Sequence, residues 1–466
     1  MKRIAIIGGG VSGLSAAYYL EQKRKEGIAV EYSLYESSPH AGGVLRTEKI
    51  NDCLVEAGPD SFLSEKPWAA ELCREIGLGD QLIGSNDAER KTYILVNGRL
   101  VPLPDGLMFM VPTNLVAAAA SPLFSMHTKL CIARERFIPP RRAEEDESVA
   151  QFVERHYGRE MVERLADPLL SGVYGGSADK LSVRAVLPRF AEMEAQYGSL
   201  GRGMLAARKK SNTSAKKASS IFTSLRDGMQ SLTDALSAHL NPEAVKLNAR
   251  VQAIQTEGES WVISAGFGSD EFDAVILATP ATVSSALVGM LSSELAAELG
   301  GISYSSSATV ALVYSGEVRA QLPPGFGFLV PRKEGLRMLA ATFVHNKFPH
   351  RAPEDRALLR CFFGGSENQD VLALSNEQIL TVARAELQKS LGLTAEPQAT
   401  RVYRWKGAMA QYNVGHLERL QRIDEQMARF PTLALAGNAY RGIGVPDCVR
   451  SGQQAANRVL TAMALQ

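Results

Sequence analysis

Apolar and polar positions along this chain follow two kinds of pattern. Lys2–Ile7 is a short isoleucine-rich run that predicts a buried strand; residues 8–13 are glycine-rich, and residues 14–21 are good helix formers. Val30–Tyr35 predicts a second strand. Similar apolar runs recur far downstream at residues 249–254, 261–264 and 272–280. Another at 433–438 leads through a glycine turn into a helix over 448–463. Strand, glycine turn and helix in that order make a βαβ-type unit, here assembled from separated pieces. Between the pieces, residues 113–205 read as helical, and 149–165 as one strongly amphipathic helix. Residues 308–314, 338–344, 358–363 and 400–405 are strand-like, and Asn376–Leu391 reads as a helix with Ser375 as its N-cap. The expected fold class is α/β plus α+β. It combines a Rossmann-like domain built from discontinuous segments, a second domain on a mixed antiparallel sheet, and a helical insertion.

The glycines carry the first chemical signal. Gly8, Gly10 and Gly13 form G-x-G-x-x-G between a strand and a helix, with Ser12 inside the turn. These positions supply a tight turn, close approach of backbone to a pyrophosphate and close helix packing, with free N–H groups at the helix start. Glu36 closes the second strand about 20 residues on, where a carboxylate accepts from a ribose and repels a 2′-phosphate. That disfavours NADP. A second glycine pair at Gly42 and Gly43, the small-residue turn around Gly58, and the distant run Gly437, Asn438, Gly444 and Val445 extend the site beyond what NAD needs. The cofactor expected is therefore FAD. Val251 and Ala278, on the intervening strand segments, are grouped with the same site.

Charge and composition narrow the partners. A net charge of +1 gives no global reason to expect nucleic acid. Five scattered cysteines, without CxxC, fit a reduced cytoplasmic protein, and no Cys/His spacing suggests a metal. No signal peptide is read at the N-terminus. The uncharged stretch 107–128 contains Pro112 and Pro122 and is expected to be a buried helix bounded by prolines, with a segment dipping into a membrane surface as the rival. Residues 202–220 are basic, with Arg202, Arg208, Lys209, Lys210, Lys216 and Lys217 among serines; a solvated linker is expected, with an anion-binding patch second.

At this point a family resemblance emerges. The opening GGGxSGL turn, Ala41-Gly42-Gly43 and the C-terminal Gly-Asn-x-x-x-Gly-x-Gly-Val-Pro-Asp run resemble the monoamine oxidase/phytoene desaturase superfamily of FAD enzymes. Residues 56–63 and, most specifically, 167–182 resemble the Bacillus-type oxygen-dependent porphyrinogen oxidases of haem biosynthesis, protoporphyrinogen and coproporphyrinogen III oxidases. Gly175-Gly176 stands where those relatives usually carry Ala-Gly. The resemblance runs nearly end to end. It implies an FAD domain at 1–85, 220–290 and 425–466, a substrate domain at 86–112 and 291–424, and at 113–219 a membrane-binding-type helical domain with the basic linker.

The resemblance also implies a six-electron oxidation of a porphyrinogen to the porphyrin, with O₂ reoxidising the flavin and H₂O₂ released. Hydride leaves for flavin N5, so no catalytic side chain is required. Lys66 is the implied anchor for substrate propionates, with a plain surface lysine as the alternative. Gly176 and Tyr174 are implied near the macrocycle, and Arg46 and Trp405 beside the flavin. Phe328, Leu329, Phe343 and Met409 are either pocket wall or core, core being favoured. Coproporphyrinogen III is the preferred substrate and protoporphyrinogen IX the alternative; a flavin amine oxidase, a carotenoid desaturase and a non-catalytic flavin scaffold are the more distant readings. Further partners implied are a peripheral membrane contact at the inner face and the next haem-pathway enzyme, with oligomeric state left open.

Overall fold

The N-terminal strand lies at the centre of a parallel sheet. In the computed structural model, which describes residues 1–141, 145–212, 220–266 and 268–465, its strands run in the order Val245–Lys246, Val30–Tyr35, Lys2–Ile7, Ala274–Leu277 and Leu433–Leu435. All pairs are parallel. Ile4, Ile6, Leu34, Ile276 and Leu277 are wholly buried, as strands covered on both faces must be. The helices Val11–Lys25 and Val445–Ala462 cover one face together. They approach so closely that a Cβ at Gly452 would collide with the Ser12 carbonyl. The sheet thus joins chain segments more than 400 residues apart, with each strand feeding its residues toward one glycine-lined edge.

Residues 249–254 and 261–264 are strands that pair with each other: Val251–Glu257, Ser260–Ala265 and Gly268–Phe272 form an antiparallel sheet of their own. One strand expectation is corrected, because the run 272–280 is divided. Phe272 ends the antiparallel sheet and Ala274 starts the parallel one. Between them the Asp273 carboxylate accepts from the Arg3 N–H at 2.8 Å and from Lys2 Nζ at 2.7 Å, turning the chain at the sheet edge.

A second sheet of seven strands carries the expected strand segments. Its order is Ala399–Ala410, Tyr304–Ser315, Arg356–Gly364, Met338–Phe343, Gly327–Leu329, Thr92–Val96 and Arg99–Pro102. It is antiparallel except where Gly327–Leu329 runs parallel to Thr92–Val96. Asn376–Leu391 is one helix against it with Ser375 as its N-cap, as the sequence predicts, and Gln378 completes a capping box.

The helical region departs from expectation in three places. Residues 149–165 are not one helix. Val149–Tyr157 stops at Gly158, whose φ of +88° no helix continues through; a short turn, a π-helical turn Val162–Ala166 and the helix Asp167–Tyr174 follow. The uncharged stretch is not one buried helix either. It forms a ribbon of Leu107–Met108 with Val111–Pro112 and a surface helix Leu115–Ala120, capped by Asn114, on which Val116 is 79% exposed. The basic segment is not simply a linker, since Arg202, Arg208 and Lys209 lie on the helix Leu200–Asn212. Lys216 and Lys217 fall outside the described residues. Among the described residues no helix is long and apolar enough to cross a membrane.

Candidate active site

The N-terminal glycines separate by task. A Cβ on Gly13 would strike the Gly8 carbonyl, so this glycine serves helix–strand packing; one on Gly8 would strike the carbonyl of Ala278. Gly10 differs: nothing stands within 4 Å of the position its Cβ would take. Open space thus lies at the start of the first helix, where backbone N–H groups are free for an anion. Ser12 contributes only its backbone there, because its hydroxyl donates to the Cys448 carbonyl at 2.9 Å and ties the two helices. Gly42 donates its N–H to the Gly9 carbonyl at 2.8 Å, and Gly43 packs on Gly10.

Glu36 is held at this edge by backbone. Its carboxylate accepts from the Gly9 N–H at 2.7 Å and from the Ser38 N–H at 2.8 Å. The Ala249 N–H donates to the Glu36 carbonyl, leading the buried Val251 into the neighbouring sheet. An open cleft of about 460 Å³ lies alongside, lined by Ala41, Arg46, Gln230, Asp234, Val245 and Leu247 among others. Arg46 pairs with Glu48 at 2.6 Å on its rim. An adenosine diphosphate moiety fits this arrangement: a ribose acceptor, a bare glycine face and an open cleft in line.

The other end of the site is the loop after Leu433–Leu435. Gly437 and Gly442 have φ of +127° and +131°, and the loop between them leads into Val445, first residue of the C-terminal helix. Asn438 donates its amide to the Ala408 carbonyl at 3.1 Å, and Gly437 donates to Ser451 Oγ. Asp447 is almost buried and accepts from the Gly444 N–H and from Lys66 Nζ, the latter at 2.6 Å. Lys66 is therefore a partly exposed lysine held by an ion pair beside the start of the C-terminal helix. A Cβ on Gly58 would strike the Val44 carbonyl, which keeps its turn tight against the Gly42–Gly43 segment.

Beneath the Gly58 turn lies an ionic network the sequence reading missed. Arg360 donates to the Gly58 carbonyl at 2.7 Å, and Lys347 pairs with Asp60 at 3.0 Å. Burial opposes ionisation of Asp60, but Lys347 and Arg360 outweigh it and hold its carboxyl well below the usual range. Arg351 and Glu56 form a second pair at 2.6 Å, both fully buried. Trp405 donates its indole N–H to the Ala57 carbonyl at 2.8 Å and braces the same turn. The missed signal was a lone arginine, Arg360, within an apolar strand.

On the substrate side, the specific stretch 167–182 folds around Asp167. This carboxylate accepts from the Ala178 N–H at 2.9 Å and pairs with Arg332. Gly176 is buried in the resulting turn, and a Cβ there would strike Gln411 Oε1. Its place is a packed turn and offers no open face to a macrocycle. Tyr174 is half-buried and donates to the Val186 carbonyl at 3.2 Å. Burial, with the nearby Asp447 charge, pushes its phenol up to about 12, so it stays protonated. Lys66 and Asp447 are paired directly, and the Asp447 charge reaches Tyr174 only through space. Phe328 and Phe343 are buried in the sheet's core, whereas Leu329 is only half-buried, against Gly172. Met409 packs beside Gly175.

The profile of the flavin-containing amine oxidoreductases matches residues 11–460. The chain belongs to this family. It is 34% identical to the coproporphyrinogen III oxidase of Bacillus subtilis over 99% of this chain and 98% of that one. It is 28% identical to protoporphyrinogen oxidase 2, chloroplastic/mitochondrial, of Arabidopsis thaliana, over 99% and 94%. A crystal structure from Exiguobacterium sp. 255-15, named for protoporphyrinogen oxidase, superposes with a TM-score of 0.88 at 31% identity, over 98% of both chains. Putrescine oxidase, at 18% identity and a TM-score of 0.71, shares the fold. The expected cofactor class holds: this is a flavoenzyme fold, and its glycine-lined edge suits FAD.

Proposed function

We propose that this chain oxidises a porphyrinogen to its porphyrin in haem biosynthesis, with FAD as the bound cofactor and O₂ as final acceptor, releasing H₂O₂. Coproporphyrinogen III is the preferred substrate. The observation that carries this reading is the identity of about one third with a coproporphyrinogen III oxidase along essentially the whole of both chains. The Arabidopsis relative keeps protoporphyrinogen IX as the second reading.

The site residues take the following parts. Glu36 receives the adenosine ribose, the N–H groups of residues 11–13 receive the diphosphate beside Gly10, and Gly42, Gly43 and Arg46 border its path. Gly58, Gly437, Asn438, Gly444 and Val445 surround the ring end. FAD, once bound there, supplies the two-electron acceptor chemistry for each step. The protein's own contribution is placement and exclusion of water. Lys66 attracts a propionate while Asp447 keeps its ammonium in place. Protonated Tyr174 offers a neutral wall that does not repel carboxylates. No side chain is required to move a proton.

The same reading divides the chain into an FAD part at 1–85, 220–290 and 425–466, a substrate part at 86–112 and 291–424, and a helical part at 113–219. The helical part exposes Leu115, Val116, Met126, Leu130 and Phe137, a density of large apolar groups that fits a peripheral contact with the membrane's inner face. Product then passes to the next enzyme of the pathway. Oxygen consumption by the holoenzyme on the two porphyrinogens tests the substrate. Faster turnover of coproporphyrinogen III supports the proposal, and strong preference for protoporphyrinogen IX overturns that choice.

A further inference from the structure

The loop from Gly437 to Gly442 has no backbone hydrogen bond to close it. Among the described residues, no N–H within it donates to a carbonyl within it. Both ends instead meet one side-chain oxygen from elsewhere. The Tyr412 hydroxyl donates to the Asn438 carbonyl at 2.7 Å and accepts from the Gly442 N–H at 2.8 Å. It fills the place a bridging water would take in a loop of this size. Tyr412 itself is immobilised: its side chain is buried, and His416 stacks on its ring at 4.1 Å with planes 11° apart. His416 in turn bonds the Tyr440 carbonyl at 2.9 Å, a third hold on the same loop.

The residues around Tyr412 reach the opposite way. Gln411 donates its amide to the Tyr174 carbonyl at 2.8 Å and to Ser305 Oγ at 3.0 Å. Its carboxamide oxygen fills the space that only Gly176 leaves open. The Ser182 N–H donates to the Tyr412 carbonyl at 2.8 Å, and the Val414 N–H to the Lys180 carbonyl at 2.9 Å. One short segment, 411–416, is therefore bonded on one side to the turn after Tyr174 and on the other to the loop before the C-terminal helix.

We propose that segment 411–416 is a strap that couples substrate seating to cofactor seating, with Tyr412 as the positioning residue that sets the 437–442 loop. This rests on the reading above that the 437–445 segment meets the flavin ring. Movement of the substrate-side turn is passed through Gln411 and the strap backbone to the hydroxyl that shapes the loop, so the two sites bias one element in common.

Tyr412→Phe keeps the ring and its stack on His416 and removes the bridging oxygen alone. In the holoenzyme it is expected to weaken FAD retention about tenfold, the size of one to two net hydrogen bonds, and to alter the visible circular dichroism of the bound flavin. Gln411→Met is expected to raise the porphyrinogen KM several-fold and to shift the flavin dichroism in the same direction. Tyr403→Phe serves as control, since Tyr403 loses a hydroxyl on the adjoining strand that is bonded to Glu48 and not to the loop; its FAD retention and dichroism should equal the parent's. The inference is overturned if Tyr412→Phe keeps parental retention and dichroism, if Tyr403→Phe loses flavin equally, or if Gln411→Met changes KM with no change in the flavin signal. A parent protein that takes up no FAD would overturn the cofactor reading beneath it, which the parent sample shows separately.

Discussion

Lys66 and Asp447 are joined by a 2.6 Å ion pair in which the Asp447 side chain is 3% exposed and the Lys66 side chain 40%. The carboxylate sits in the first turn of the C-terminal helix, where the helix dipole favours a negative charge. Its second cation, Arg450, is 3.5 Å away and stacks on Trp68 at 4.0 Å. The partly exposed lysine is thus held by a carboxylate that is itself fixed. Lys66→Met should raise the porphyrinogen KM about tenfold, the loss of one charge-assisted contact, while flavin stays bound. Steady-state kinetics with the flavin content measured in the same samples checks this; an unchanged KM would remove Lys66 from the substrate site.

Gly10 and Gly13 offer a sharper contrast. Gly13→Ala drives a methyl into the Gly8 carbonyl and should lower the yield of folded protein. Gly10→Ala meets nothing within 4 Å in the protein and should fold with an ordinary melting profile. Its methyl instead enters the diphosphate path, so the purified variant should be colourless. Far-UV dichroism and flavin absorbance of the two variants decide the point. A Gly10→Ala protein with full flavin content would place the diphosphate elsewhere.

How much of this was legible in the sequence follows from the range of the interactions. The glycine turn, Glu36 and the Ser375 cap are local, and the sequence displays them because each depends on neighbours a few residues away. Asp447 and Arg360 act over hundreds of residues, on Lys66 and Gly58, and Tyr412 acts on Asn438 26 residues away; no local pattern encodes those pairings. The broken helix at Gly158 was visible as a glycine, but the amphipathic period continues across it, so periodicity alone joined what the backbone separates. Gly176 stands in a local motif, but the reason for the glycine, the Gln411 oxygen beside it, is tertiary.

The buried pair beneath the Gly58 turn sets a stability prediction. Arg351→Met leaves Glu56 without its cation in a site where burial already raises its pKa. Removing one partner of such a pair costs about 3–5 kcal/mol. Glu56→Gln with Arg351→Met, which removes both charges, should recover a large part of the loss. Denaturant unfolding of the three proteins checks it, and near-equal stability of Arg351→Met and the parent would contradict it.

In the helical region His156 lies between two buried carboxylates, with Glu194 at 3.2 Å and Glu135 at 3.4 Å. Arg155 and Glu147 complete the group. Burial opposes its protonation, yet Glu135 and Glu194 outweigh burial and raise its pKa above 6.5. Burial likewise opposes ionisation of Glu194, and His156 and Arg155 lower its pKa below 4.5. The histidine's contribution is complete below its unfolded value and is lost as pH rises through its raised folded value. The carboxylate's is complete above its unfolded value and is lost as pH falls through its lowered folded value. Stability from this cluster is therefore fullest at about pH 5–6.5. His156→Gln should be less stable than the parent there, with the gap narrowing as pH rises; a gap independent of pH from about 5 to 9 would contradict the charge assignment.

In the proposed reaction a porphyrinogen meets the bound flavin directly. Mixing the holoenzyme with coproporphyrinogen III in the absence of oxygen tests it most plainly. The expected result is rapid loss of the yellow flavin absorbance, restored on admitting air, with porphyrin fluorescence rising over repeated cycles. Flavin that keeps its oxidised spectrum with both coproporphyrinogen III and protoporphyrinogen IX would contradict it.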